Sequence, residues 1–128
     1  MIILDTCALL WLAADQKELS LKARAAITKH AQTLYISAIS AFELAVKQRR
    51  KKLILPLPAG EWYAKTLDHH GIQEIVVSSD ILVRSVNLPS LHNDPCDRII
   101  IATALHHRCP ILTCDSWISR YPIVTTIW

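Results

Sequence analysis

The sequence predicts an α/β protein, a mainly parallel central sheet between two layers of helices, formed as one domain over residues 1–128. Short apolar runs of strand length recur along the chain, and segments with helical periodicity separate them. Hydrophobic residues make up 52% of the 128, enough for a self-sufficient core and too many for a disordered chain. Only two glycines are present, which argues against repeats and flexible linkers.

Ile2 to Leu4 is a short apolar run that ends at Asp5, as a buried first strand would. Thr6 to Leu12 follows as a helix. A second helix is predicted over Leu19 to Ala31, with Ser20 as N-cap and Leu21, Ala25 and Thr28 on one face. Leu34 to Ile36 reads as the second strand. Ser40 opens a helix that carries Leu44 and a basic run, and the Leu53 to Pro58 segment breaks it. Pro58 starts a further helix through Trp62 and Leu67, which Gly71 stops. Glu74 to Val77 is the third strand, and Ser78 or Ser79 caps a helix that ends before Pro89. Leu88 to Asp94 is a loop, and Pro95 at the first helical position begins Cys96 to His107. Ile111 to Thr113 is the fourth strand. A short turn or helix starts at Asp115, and Ile123 to Thr126 is the last strand.

Composition narrows the function classes. The apolar stretches are too short, and too often broken by charge, to span a bilayer. Asp5 arrives where a signal peptide would carry its apolar segment, so a cytoplasmic protein is expected. Cys7, Cys96, Cys109 and Cys114 have no paired C-x-x-C spacing, and with His106 and His107 they fit no usual zinc pattern. Reduced, mostly buried thiols are the expectation. The net charge of +3 is too mild to predict nucleic-acid binding by itself, but Lys47 to Lys52 is a concentrated basic run.

Four acidic motifs stand where strands end or helices begin: Ile2 to Thr6, Ser40 to Glu43, Asp94 to Arg98 and Leu112 to Asp115. Each has a structural reading by itself. Asp5 and Asp115 suit N-caps, Ser40-x-x-Glu43 is a capping-box pattern, and Asp94-Pro95-x-Asp97 is an N-cap, a proline and a first-turn acid. Together they read differently. In an open parallel sheet, both strand ends and the starts of the following helices lie at the carboxyl edge, where ligands bind. Two unpaired charges ~4 Å apart repel by about 4 kcal/mol at an effective dielectric near 20. A cluster of them needs a cation, or pKa values raised enough to hold protons. An all-oxygen set favours Mg²⁺ or Mn²⁺ over zinc, and suits phosphodiester hydrolysis.

Leu4-Asp5-Thr6, Ser40-x-x-Glu43, His92-x-Asp94-Pro95-x-Asp97-Arg98 and Leu112-Thr113-x-Asp115, in that order, resemble the PIN domain. More narrowly, they resemble the VapC-type toxins of bacterial type II toxin–antitoxin systems, and the likeness covers essentially the whole chain. It implies a three-layer α/β/α fold and a Mg²⁺- or Mn²⁺-dependent endoribonuclease, dimeric and held inactive by a VapB-like antitoxin. By that resemblance Asp5, Glu43, Asp97 and Asp115 are the catalytic, metal-binding quartet. Asp5 and Asp97 are the candidates for direct coordination; Glu43 and Asp115 bind through water or orient the attacking water. Thr6 and Thr113 match hydroxyls that hold these carboxylates, and Asp94 is a further supporting candidate beside its role as N-cap. The alternative is a catalytically inactive PIN-like module that binds RNA or protein, although such a module would usually have lost part of the quartet.

Other residues carry two readings each. Lys47, Arg49, Arg50 and Lys51 either form a solvated helix end favoured by the macrodipole or contact RNA phosphates. Arg98 either bridges a neighbouring carboxylate, the favoured reading, or touches substrate. His92 is a loop histidine, read as solvated or as a substrate contact. Trp11, Trp62, Trp117 and Trp128 are too dispersed for a base-stacking platform and are expected to pack in the core, with Trp11 a candidate contact at a dimer or antitoxin interface.

Overall fold

The computed structural model describes all 128 residues. Its elements run β1 (Ile2–Leu4), α1 (Thr6–Ala14), α2 (Leu21–Lys29), β2 (Leu34–Ser37), α3 (Ile39–Arg49), α4 (Ala59–His70), β3 (Gln73–Ile75), α5 (Ser79–Val86), α6 (Pro95–His107), β4 (Ile111–Leu112) and β5 (Thr126–Ile127), with short 3₁₀ turns at Gln16–Glu18 and Ile118–Arg120. The sheet is wholly parallel, in the order β3-β2-β1-β4-β5. Strand order reverses between β1 and β4, so the crevice at their carboxyl ends is the topological switch point where such sheets bind ligands.

The period of two along each strand separates the core into two faces. Ile2 and Leu4 of β1, with Leu34, Ile36 and Leu112, pack against residues of α1 to α4, among them Leu9, Leu44, Trp62 and Leu67. Ile3 and Ile111 point the other way, onto Ile81 of α5, Ile99 to Ala102 of α6, and Tyr121. Three layers result, as the sequence predicts.

Element boundaries depart from expectation where a local partner decides them. Leu19 is buried and closes the first 3₁₀ turn, so α2 starts at Leu21, with Ser20 Oγ accepting from Ala23 N at 3.0 Å. Of the two serines before α5, Ser78 is the cap. The Ser40 capping box does not form. Ser37 Oγ, at the end of β2, accepts from Ile39 N at 3.2 Å, so α3 starts one residue earlier and Glu43 lies in its second turn. Strand β3 stops at Ile75, and Val76 is 73% exposed. The last strand is Thr126–Ile127 rather than Ile123 to Thr126: Thr126 pairs with Ile111, and Ile123 is 59% exposed. Gly71 ends α4 in the left-handed region, as predicted.

Candidate active site

The switch point carries two of the predicted acids directly. Asp5 follows β1, and Thr113 to Asp115 follow β4, the strand paired with β1. Asp5 caps α1, its Oδ1 accepting from Ala8 N at 2.7 Å, while its Oδ2 accepts from the Thr113 hydroxyl. Thr113 Oγ1 in turn accepts from Asp115 N at 3.0 Å. One hydroxyl therefore fixes the Asp5 carboxylate and the backbone of Asp115 together. Asp115 Oδ1 also accepts from Trp117 N at 2.7 Å, which turns the chain into the following 3₁₀ segment.

Glu43 approaches from α3. Its Oε1 accepts from Thr6 Oγ1 at 2.7 Å, and its Oε2 pairs with Lys47 Nζ at 2.9 Å. Ser40, expected as a cap, instead places its hydroxyl 2.9 Å from Thr6 Oγ1. Thr6 thus holds Glu43, and Thr113 holds Asp5. Asp97 comes from the first turn of α6, whose N-cap is Asp94, with Asp94 Oδ1 accepting from Asp97 N at 3.0 Å.

The tightest grouping of potential ligand atoms is His92, Asp97 and Asp115, all within 4.8 Å of one another. Asp5 lies beside it and is 4% exposed. Burial pushes the Asp5 carboxyl up to about 7, against the hydrogen bonds from Thr113 and Ala8, with the charges of Asp97 and Asp115 adding to the rise. Burial likewise pushes Asp97 up to about 6; the His92 bond opposes the shift, while Asp94, Glu43 and Asp115 reinforce it. Acids that repel one another and take no cation from the protein beyond Lys47 on Glu43 are under-neutralised. An oxygen-rich set of this kind fits a hard divalent ion.

Sequence reasoning missed the Asp97 partner of His92, which it read as solvated or as a substrate contact. Its Nε2 is 2.7 Å from Asp97 Oδ2, its side chain is 13% exposed, and its ring stacks on Trp117 at 5.6 Å between centroids. The available signal was its place five residues before Asp97, on the loop that leads into the Asp94 cap. Trp117 also departs from expectation: it is 45% exposed, with the Arg120 guanidinium 4.0 Å over its ring, whereas Trp62 is buried and Trp11 and Trp128 pack against the core.

Arg98 does not make the expected bridge to a carboxylate. Its Nη1 donates to Pro89 O, His92 O and Tyr121 Oη, and its Nη2 to Leu88 O and Val86 O, at 2.9 to 3.2 Å. The loop carbonyls need donors, and one planar guanidinium supplies several. Arg98 thus clamps the loop.

The basic run divides. Lys47, Arg50 and Lys52 line a groove of about 220 Å³ beside Glu43, together with Phe42, Val46 and the start of α6 from Asp94 to Cys96. Arg49 and Lys51 are exposed outside that lining, and Gln48 is taken up in clamping Leu57 O and Ala59 N.

All four cysteines are free, and Cys7 and Cys114 are exposed rather than buried. Partial desolvation and neighbouring carboxylates push the Cys7 and Cys96 thiols up to about 11, so neither is a ready nucleophile. No helix is long and apolar enough to cross a membrane.

Known proteins share this fold. Residues 2–124 match the family model of the PIN domain. The chain is 32% identical over 130 residues to the ribonuclease VapC22 of Mycobacterium tuberculosis, covering 99% of this chain and 98% of that protein. Among solved structures it is similar to a toxin–antitoxin complex from Klebsiella pneumoniae, with a TM-score of 0.69 and 25% identity over 98% of this chain and 97% of that one. VapBC2 from Rickettsia felis, bound to a DNA fragment from its promoter, also shares the fold, with a TM-score of 0.69 and 18% identity over 98% of this chain and 97% of that one. With the parallel sheet, the acids at its switch point and a full-length relative in agreement, this chain belongs to the PIN-domain family.

Proposed function

We propose that this chain is a divalent-metal-dependent endoribonuclease, the toxin of a type II toxin–antitoxin pair, restrained by a VapB-like partner. The observation that carries the reading is the gathering of under-neutralised carboxylates at one switch-point edge, with Asp97 and Asp115 in ligand reach of each other and Asp5 beside them. The full-length relative named as a ribonuclease supports the substrate class, and the Klebsiella pneumoniae complex supports the partner.

Asp97 and Asp115 would hold Mg²⁺ or Mn²⁺, with Asp5 completing the set. When bound, such an ion supplies Lewis acidity to a phosphodiester oxygen and to a water at neutral pH. The protein does the positioning. Thr113 and Ala8 N–H fix Asp5, and Thr6 and Lys47 fix Glu43 where it can accept a hydrogen bond from the attacking water. Arg50 and Lys52, along the groove beside Glu43, face the phosphates of a bound strand. The dimer implied by the resemblance belongs to the same proposal and is checked by sedimentation.

The test is cleavage of a labelled total-RNA pool with Mg²⁺, with EDTA, and by Asp97→Asn prepared identically. Discrete cuts made only by wild type with Mg²⁺ are expected. Equal patterns from wild type and variant would leave the inactive binding module as the reading.

A further inference from the structure

We propose that His92 is a positioning residue for Asp97: it sets the orientation of that carboxylate and thereby the affinity of the cluster for a divalent ion. The inference rests on the metal-dependent reading above. An ionised carboxylate can only accept, so the 2.7 Å contact between His92 Nε2 and Asp97 Oδ2 places a proton on Nε2. A nitrogen that donates this proton has no lone pair to offer an ion. Asp97 Oδ2 is thereby occupied, and Oδ1, which takes no hydrogen bond from the protein, is left for the ion shared with Asp115.

His92 is itself held on three sides. Its backbone N–H donates to Tyr121 Oη at 3.2 Å, and its carbonyl accepts from Arg98 Nη1 at 3.0 Å. Tyr121 Oη donates to Pro89 O at 2.7 Å and accepts from Arg98 Nη1 at 3.1 Å, so guanidinium and phenol lock the whole loop. The ring lies nearly parallel to Trp117, at 11°, and Trp117 is covered in turn by Arg120. A solvated loop histidine has no use for such a frame. Ligating carboxylates are commonly oriented by hydrogen bonds of this kind, and losing one costs roughly 10- to 100-fold in metal affinity.

The test is Mn²⁺ titration of the purified, metal-stripped protein, reading free ion by electron paramagnetic resonance at fixed pH. His92→Ala is expected to weaken binding roughly 10-fold or more. His92→Phe keeps a ring against Trp117 without the N–H, and should weaken binding as Ala does while the melting temperature stays near wild type. His92→Gln restores an N–H donor and should recover most of the affinity. Pulsed measurements should show no directly bonded imidazole nitrogen. Wild-type affinity in His92→Phe, or a directly bonded nitrogen lost on substitution, would overturn the positioning role alone. A wild-type protein that binds no Mn²⁺ would overturn the metal-dependent reading and this proposal with it.

Discussion

Asp5 is the residue on which several demands converge, since it ends β1, caps α1 and sits among Asp97 and Asp115. Its folded pKa of about 7 lies above the ordinary 3.8, and that of Asp97, about 6, lies above the same value. The folded state therefore holds protons that the unfolded chain releases from about pH 4 upward. Stability from these two groups is greatest at the acid end of that window and falls as pH rises through 6 and 7, by up to about 1.4 kcal/mol per pH unit and group. Thermal melts in EDTA should accordingly show Asp5→Asn gaining on wild type between pH 5 and pH 8. A difference that stays flat with pH would contradict the raised pKa. All four acids were legible because each sits in a short motif beside its own strand or helix. The bonds that orient them were legible only through the family resemblance: Thr113 reaches Asp5 across 108 residues and Thr6 reaches Glu43 across 37, separations that sequence periodicity does not register.

Helix ends in this chain must manage with two glycines. Helices α3, α4 and α6 all finish in the same paired hydrogen bonds, with Lys52 N to Lys47 O, Ile72 N to Leu67 O and Cys109 N to Ala104 O closing the last turns. The left-handed position is Gly71 after α4, but Lys51 after α3 and Arg108 after α6, at φ 58° and 53°. A side chain there costs about 1 kcal/mol relative to glycine. Lys51→Gly should therefore raise the melting temperature by a few degrees, as expected for a gain of about 1 kcal/mol in a domain of this size. A lower melting temperature would show that the Lys51 side chain contributes contacts outweighing its backbone strain. The Gly71 stop was predictable because glycine announces it. The α3 start was not, because Ala38 takes the N-cap position without a side-chain cap and the Ser40 hydroxyl is spent on Thr6, a partner 34 residues away. The Leu88 to Asp94 segment was legible as a loop, but the hydrogen bonds that hold it were not, since they come from Arg98 and Tyr121 later in the chain.

At the scale of the molecule, the parallel sheet gathers four local motifs at one edge. Strand order β3-β2-β1-β4-β5 sets the ends of β1 and β4 side by side, and α3 and α6 bring Glu43 and Asp97 to the same edge from opposite layers. The layers and the parallel sheet were readable from alternation alone, whereas the strand order that brings the acids together is a tertiary choice. The proposed acid-and-metal site would activate water rather than the ribose 2′-hydroxyl. The most direct measurement is the chemistry of the cut ends on a cleaved RNA. A 5′-phosphate and a 3′-hydroxyl are predicted, and cleavage should persist when the nucleotide 5′ to the cut is deoxy. A 2′,3′-cyclic phosphate with a 5′-hydroxyl would mean that the ribose attacks, and would contradict hydrolysis by the acidic cluster.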